Sequence, residues 1–203
     1  MAAGKVMVSI THATRFMIPQ LPCTLVTCVD LSGKPNIIAV SQVAKAWGLP
    51  LDESDPGFGV FFVMIHPARY SHKLIEDTGE FVINVATVDI AEHVWYCGVR
   101  SGRVFDKFKE TGLTPVPAEY IKPPLIAECP INIECKVVER IKPTHSAYTY
   151  FFGKALAIHA KEGIWDGCIL NIDRCPVPLE VGAGGLGEGE FRAPGKVVLK
   201  RRF

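Results

Sequence analysis

The fold is decided by two stretches, INIECKVVERI at Ile131 to Ile141 and YTYFFGKALAIHA at Tyr148 to Ala160. Apolar and polar residues alternate through the first half of the earlier stretch, which is typical of a strand with one face toward solvent. The later stretch is rich in aromatic residues and carries Gly153 in its middle. A glycine inside a strand predicts a bulge or bend of the kind that closes a barrel, so we expect a curved sheet.

Four further segments combine β-branched and aromatic residues with turn signals at their ends. They are Leu25 to Val29, Asn36 to Val43, Phe58 to Ile65 and Phe81 to Val85. Between the first two, Gly33 can take a positive φ and Pro35 cannot donate to a sheet. This loop therefore predicts a hairpin turn between antiparallel strands.

Three short helices are expected between the strands: Ser71 to Thr78, a segment that opens at Asp89 and Glu92, and Val104 to Thr111. Ser71 is the expected N-cap of the first helix, and glycines at positions 79 and 112 are expected to end the first and third. The helices do not alternate regularly with the strands, as they would beside a parallel sheet. The predicted fold class is mainly β, a β-barrel with short helices, with residues 1–203 forming a single domain.

Composition excludes several classes of protein. The net charge is +1 and 48% of the residues are hydrophobic, so we expect a packed domain that does not bind nucleic acid. No run reaches the roughly 18 apolar residues of a membrane span, and no secretory signal opens the chain, which favours a cytoplasmic protein. The odd number of cysteines, seven, predicts mostly reduced thiols. The basic ending Lys200-Arg201-Arg202 is interpreted as a solvated terminus.

Familiar catalytic motifs are absent from the sequence or incomplete. Gly182, Gly184 and Gly187 match G-x-G-x-x-G by letter, but the few residues after them cannot form the βαβ unit of roughly 30 residues that the motif requires. There is no phosphate loop, no H-E-x-x-H pair and no C-x-x-C. We therefore expect no nucleotide hydrolysis and no bound metal.

The segment Arg69-Tyr70-Ser71-His72-Lys73 places two strong cations and a hydroxyl at a predicted helix N terminus. Unpaired backbone N–H groups and the helix dipole already favour an anion there. The segment fits a phosphate monoester, and it fits equally well a solvated loop with an ordinary N-cap.

The segment Pro35 to Gln42 alternates small or polar residues with apolar ones along a strand edge. A flat heteroaromatic ring needs such a surface, and Asn36, Ala39, Ser41 and Gln42 are its candidate contacts. A turn role for Asn36 and an ordinary strand hydroxyl for Ser41 are the alternatives.

Three isolated residues are further candidates. Cys97 would be redox-active beside a suitable cofactor, although free cysteines are often small buried hydrophobes. Lys107 is expected on the exposed side of its short helix. His145, between Thr144 and Ser146, either caps a turn or donates to an electron-rich ligand and assists proton movement near pH 7.

Taken in order, these segments resemble the flavin reductase and flavoredoxin family. The matching pieces run from Leu25-Val26-Thr27 through Pro35 to Ala39, Pro67 to Lys73, Glu80 to Val85, Cys97-Gly98, Asp106-Lys107-Phe108 and Gly112-Leu113 to the neighbourhood of Gly153. The resemblance spans nearly the whole chain and implies a split barrel that binds FMN, with each flavin near the interface of a homodimer.

Carried over residue by residue, the resemblance suggests that Asn36 and Ser41 line the isoalloxazine, while Arg69, Ser71 and Lys73 meet the phosphate. It places Lys107 near the phosphate or ring edge and His145 on the nicotinamide or acceptor side.

Two functions remain open from the sequence. One is an enzyme that takes electrons from NAD(P)H through FMN to a small-molecule or protein acceptor, and the other is a flavoredoxin-like carrier without its own NAD(P)H site. Another planar ligand, such as haem or a deazaflavin, is a third possibility.

Overall fold

The computed structural model describes residues 24–46, 59–164, 173–182 and 189–193. The strands are β1 Thr24–Val29, β2 Pro35–Val40, β3 Val43–Lys45, β4 Val60–Ile65, β5 Glu80–Val85, β6 Pro115–Val116, β7 Leu125–Ile126, β8 Ile131–Ile141, β9 Thr149–Ala160, β10 Leu179–Gly182 and β11 Gly189–Arg192. The helices are α1 Tyr70–Thr78, α2 Ala91–Val99 and α3 Lys107–Thr111, and a 3₁₀ turn at Val88–Ile90 precedes α2.

Seven strands form one sheet in the order β2-β1-β5-β8-β9-β4-β3. Every neighbouring pair in that order is antiparallel. The two edge strands are nevertheless consecutive in the chain, because β2 ends at Val40 and β3 begins at Val43.

That short connection requires the sheet to curl. In a flat sheet, six spacings of about 4.8 Å would separate the edges by about 29 Å. Three Cα–Cα steps of about 3.8 Å reach only about 11 Å. The edges must therefore approach each other, and the sheet forms an open barrel.

The pairing of β8 with β9 is irregular at two places. The register shifts between Glu134 and Cys135 and again between Val137 and Glu139, next to the partner position of Gly153. A Cβ built at Gly153 would lie 2.6 Å from Phe81 Cζ and 2.9 Å from Cys135 Cβ. The predicted irregularity at Gly153 is thus present, and the side chain of Phe81 occupies the space that a larger residue would need.

Two hydrophobic cores lie on opposite faces of β1 and β2. The inner core contains Val26, Phe81 and Phe151 and is closed by Leu74 and Ile75 of α1. The outer core contains Leu25 and Ile37 and is covered by side chains of α2 and α3, among them Val94 and Phe108. Because β1 is covered on both faces, all six of its residues are buried.

The longest strands, β8 and β9, and the ends of α1 and α3 agree with the sequence predictions, but one strand and all three helix starts do not. The segment Asn36 to Val43, predicted as one strand, is divided, because β2 ends at Val40 and Val43 begins β3 at the other edge of the sheet. The second helix begins at Ala91 with no side-chain cap, so Asp89 does not cap it.

Gly79 and Gly112 end α1 and α3 with positive φ, as predicted. Ser71 does not cap α1, since the N-cap is Arg69 and no side chain caps this terminus. The third helix begins at Lys107 instead of Val104, because the side chain of Asp106 caps it by accepting from the Lys109 N–H.

Several predictions concern residues that lie outside the described ranges, namely Gly184, Gly187 and the basic ending Lys200 to Arg202. The five cysteines within those ranges are all buried and free, as expected for reduced thiols. Among the described helices, none is long and apolar enough to cross a membrane.

Replacing Gly153 with alanine should destabilise the protein. The new methyl group would overlap the Phe81 ring and the Cys135 side chain, and such overpacking costs about 1–3 kcal/mol. Chemical denaturation should therefore show a lower free energy of unfolding. Gly59→Ala is the matched control, since a Cβ at Gly59 meets nothing within 4 Å. Equal stabilities for the two variants would contradict the packing described for Gly153.

Candidate functional site

A cavity of about 150 Å³ opens where β2 meets the three helices. Its walls come from Asn36 and Ile38 of β2, the start of α1, the end of α2 and the loop 100–102, with Lys107 of α3. The fold brings these elements together because α1 packs on the inner face of β2 while α2 and α3 pack on its outer face.

The first turn of α1 supplies one wall. Arg69, Tyr70 and Ser71 line the cavity, and this turn contains no acidic residue and no side-chain cap. The first backbone N–H groups of a helix lack intrahelical acceptors and carry the positive end of the helix dipole. This wall therefore favours an anion.

The side chain of Asn36 joins three parts of the site. It is 5% exposed, and its Nδ2 donates to Ser71 Oγ at 2.7 Å. Its Oδ1 lies so close to Gly102 that a Cβ built there would be only 1.8 Å away. Asn36 thus fixes β2, the start of α1 and the loop after α2 relative to one another.

Lys107 is buried, contrary to the exposed position expected from the sequence. It is 5% exposed, and its Nζ donates to the carbonyl oxygens of Ile37 and Cys97, both at 2.7 Å. Burial lowers the pKa of this amine to about 8. The physical reason is that α3 packs against β2, which sequence periodicity in so short a helix does not reveal.

Two further arginines stand beside the cavity. Arg100 lines it, and its guanidinium lies over the rings of Tyr96 at 6.0 Å and Phe105 at 5.3 Å. Arg103 donates to the Ala68 carbonyl at 3.1 Å and lies over the Tyr70 ring at 5.3 Å. Aromatic contacts of this kind hold guanidinium groups in place without neutralising them.

The predicted site residues separate into two sets. Asn36, Arg69, Ser71, Cys97 and Lys107 line the cavity. Ala39, Ser41, Gln42, Lys73 and His145 are not among its lining residues.

Each residue of the second set has a definite place. Ala39 lies on β2 beside Gly98, and Ser41 and Gln42 form the connection between the sheet edges. Lys73 points to solvent and pairs with Asp77 at 2.6 Å, and this spacing of four residues was visible in the sequence. His145 is exposed in the turn between β8 and β9.

Sequence reasoning missed Arg100, Ser101 and Gly102. They follow α2 in a turn where the N–H groups of Val104 and Phe105 donate to the Ser101 carbonyl. The Ser-Gly pair between two arginines was the available signal, because small residues permit close backbone approach.

Burial also keeps the thiol of Cys97 protonated. The side chain is 1% exposed, and burial raises the pKa of its thiol to about 11. A protonated, buried thiol is a poor nucleophile, so its role in this geometry is to form part of the wall.

Gly102→Ala should disturb the site through Asn36. The added methyl group would collide with the buried amide and push it away from Ser71, so we expect a loss of about 1–3 kcal/mol in the free energy of unfolding. Gly98→Ala is the matched control, because its new Cβ would lie at an ordinary 3.5 Å from that of Ala39. If denaturation midpoints fell equally for both, the close contact between Gly102 and Asn36 would be refuted.

Comparison with known proteins identifies this architecture. The flavin reductase like domain matches residues 19–174. An uncharacterized protein from Archaeoglobus fulgidus is 31% identical over 158 residues, which cover 78% of this chain and 82% of that protein.

Two solved structures share the fold. The flavoredoxin of Desulfovibrio vulgaris (Miyazaki F) is 25% identical, with a TM-score of 0.75 over 98% of this chain and 96% of its own. A protein from Shewanella frigidimarina, described as a flavin reductase with a split barrel domain, is 18% identical, with a TM-score of 0.78 over 98% and 100% of the two chains. The expected split barrel is thereby confirmed, and the chain belongs to the flavin reductase-like family.

Proposed function

We propose that the cavity binds the phosphate end of FMN and that the protein is an oxidoreductase, which moves electrons from NAD(P)H through the flavin to an acceptor. The observation that carries the proposal is the charge of the cavity. Arg69, Arg100 and Lys107 line it together with the uncapped start of α1. Among the described lining residues there is no carboxylate.

A phosphate monoester fits this donor set. It carries a charge of about −1.5 to −2 at neutral pH and presents three strong acceptor oxygens. Arg69 and Arg100 offer planar guanidinium groups, which bind phosphate through paired hydrogen bonds, and Ser71 and Ser101 offer hydroxyls. An uncharged or cationic ligand would leave these cations uncompensated.

The cavity is large enough for only part of FMN. Pockets that enclose drug-sized ligands usually measure about 300–1,000 Å³. A volume of about 150 Å³ suits the phosphate and part of the ribityl tail. We infer that the isoalloxazine ring lies at the mouth, where an electron donor and acceptor can reach it.

The protein supplies binding and orientation in this scheme. Bound FMN would provide the two-electron chemistry. Arg69 and Ser71 would fix the phosphate, while Asn36 keeps β2 and α1 in register around it. We also propose that His145, in the turn between β8 and β9, borders the nicotinamide or acceptor side and assists proton movement.

Arg69→Ala should weaken FMN binding by about 1–3 kcal/mol, the usual cost of losing a charge-assisted contact. Helix α1 should persist, because the Arg69 side chain makes no capping hydrogen bond. Fluorescence titration with FMN measures the effect. Lys73→Ala is the control that removes a nearby cation outside the cavity, and it should leave the dissociation constant almost unchanged. An unaltered constant in Arg69→Ala would remove this residue from the site.

The likeness to flavoredoxin favours a second candidate function, an electron carrier without an NAD(P)H site. Anaerobic stopped-flow mixing of the FMN-loaded protein with NADH or NADPH separates the two functions. Rapid bleaching of the flavin absorption band is the result expected for the reductase. A band that persists with both nucleotides, yet bleaches with dithionite, would contradict the reductase and leave the carrier.

The remaining features of the proposal concern assembly and location. We propose a homodimer with the flavin near the subunit interface, a single domain over residues 1–203 and a cytoplasmic protein. Size-exclusion chromatography with light scattering tests the first of these directly.

A further inference from the structure

Lys107 combines burial with an unusual set of partners. Its amine donates to the carbonyls of Ile37 in β2 and Cys97 in α2, and its side chain also lines the cavity. A lysine ammonium carries three N–H donors. Two are used by the backbone, which leaves one for a group in the cavity.

The titratable groups around this amine do not neutralise it. The thiols of Cys28 and Cys97 and the guanidinium of Arg69 act on it electrostatically, and Arg100 lines the same cavity. Burial of a cation without an opposite charge is unfavourable, and hydrogen bonds to carbonyls offset only part of that cost. An anion in the cavity would supply the missing charge.

We infer that Lys107 makes the cavity selective for a phosphorylated ligand and that its amine takes up a proton as the phosphate enters. The inference rests on the proposed function and deepens it, because it names the group that distinguishes FMN from riboflavin. It also makes the affinity for FMN depend on pH.

The contacts of Lys107 allow the proton to leave and return without rearranging the protein. A neutral amine keeps two N–H groups, enough for both backbone carbonyls. The third position then becomes a lone pair, which repels phosphate oxygens. Protonation converts that position into a charged donor, so ligand binding and proton uptake favour each other.

The arginines and thiols at the site cannot take up a proton at pH 9. The arginines remain charged throughout. The thiols of Cys28 and Cys97 have pKa values raised by burial to about 12 and about 11, so both are already protonated. Lys107, with a pKa of about 8 before the ligand arrives, is then mostly neutral.

Isothermal calorimetry measures the number of protons that the full chain takes up when FMN binds. The titration is carried out in two buffers that differ in ionisation enthalpy. At pH 9 we expect an uptake of about half to one proton per FMN, and at pH 7 close to none, because the amine is then already charged. The phosphate of FMN, whose second pKa is about 6, contributes almost nothing at pH 9, and at pH 7 it can release about a tenth of a proton, which offsets the small uptake by the amine. Riboflavin, which lacks the phosphate, should bind at least tenfold more weakly at pH 7.

Lys107→Met should abolish the uptake at pH 9 and reduce the preference for FMN over riboflavin at least tenfold. Lys109→Met is the matched control, an exposed lysine of the same helix, and it should behave as the wild type. If Lys107→Met does not fold, the proton count of the wild-type protein still decides.

Different results would contradict the role of Lys107 and the FMN site. FMN binding without proton uptake at pH 9, with FMN still preferred over riboflavin, would overturn the role of Lys107 and leave the FMN site standing. Equal affinity for FMN and riboflavin would overturn both the phosphate site and the role of Lys107. No binding heat for FMN at either pH, with no change in flavin fluorescence, would overturn the proposed function and this inference together.

Discussion

The connection between β2 and β3 is the constraint on which the site depends. These strands are the two edges of a seven-stranded sheet, yet only Ser41 and Gln42 separate them in the chain. The sheet has to curl for its edges to meet. Curling gives it an inner face that α1 closes and leaves the outer face of β2 to α2 and α3. The ends of all three helices consequently gather around one strand.

The cavity forms where these helix ends meet β2. The start of α1 brings positive backbone N–H groups, and the last turn of α2 exposes the Cys97 carbonyl, which Lys107 satisfies. Asn36 occupies the space between these elements and bonds to Ser71. Because this polar framework is buried and hydrogen-bonded, it holds the amine of Lys107 and the start of α1 in a fixed arrangement. A preorganised site of this kind loses less conformational entropy when its ligand binds.

Sequence reasoning recovered what depends on local pattern. The strand Ile131–Ile141 was predicted to the residue from its alternating apolar residues. Its expected solvent face was wrong in the first half, because Asn132 and Glu134 are buried and hydrogen-bond to distant segments of the chain. Helix ends at Gly79 and Gly112 were predicted because only glycine adopts their positive φ at little cost. Burial of Lys107 was not predicted, because it depends on how distant segments pack. The pairing of the exposed Lys73 with Asp77 is local, and its spacing of four residues was overlooked. Arg100 was missed because the adjacent Ser101-Gly102 pair indicates a close backbone approach but not that the approach is to a cavity.

Titration of the purified protein with FMN tests the central claim most directly. The account predicts saturable quenching of flavin fluorescence with one FMN bound per chain, and riboflavin should bind much more weakly. A protein that is colourless as isolated and shows neither quenching nor heat with FMN would contradict the assignment of the cationic cavity as a flavin phosphate site.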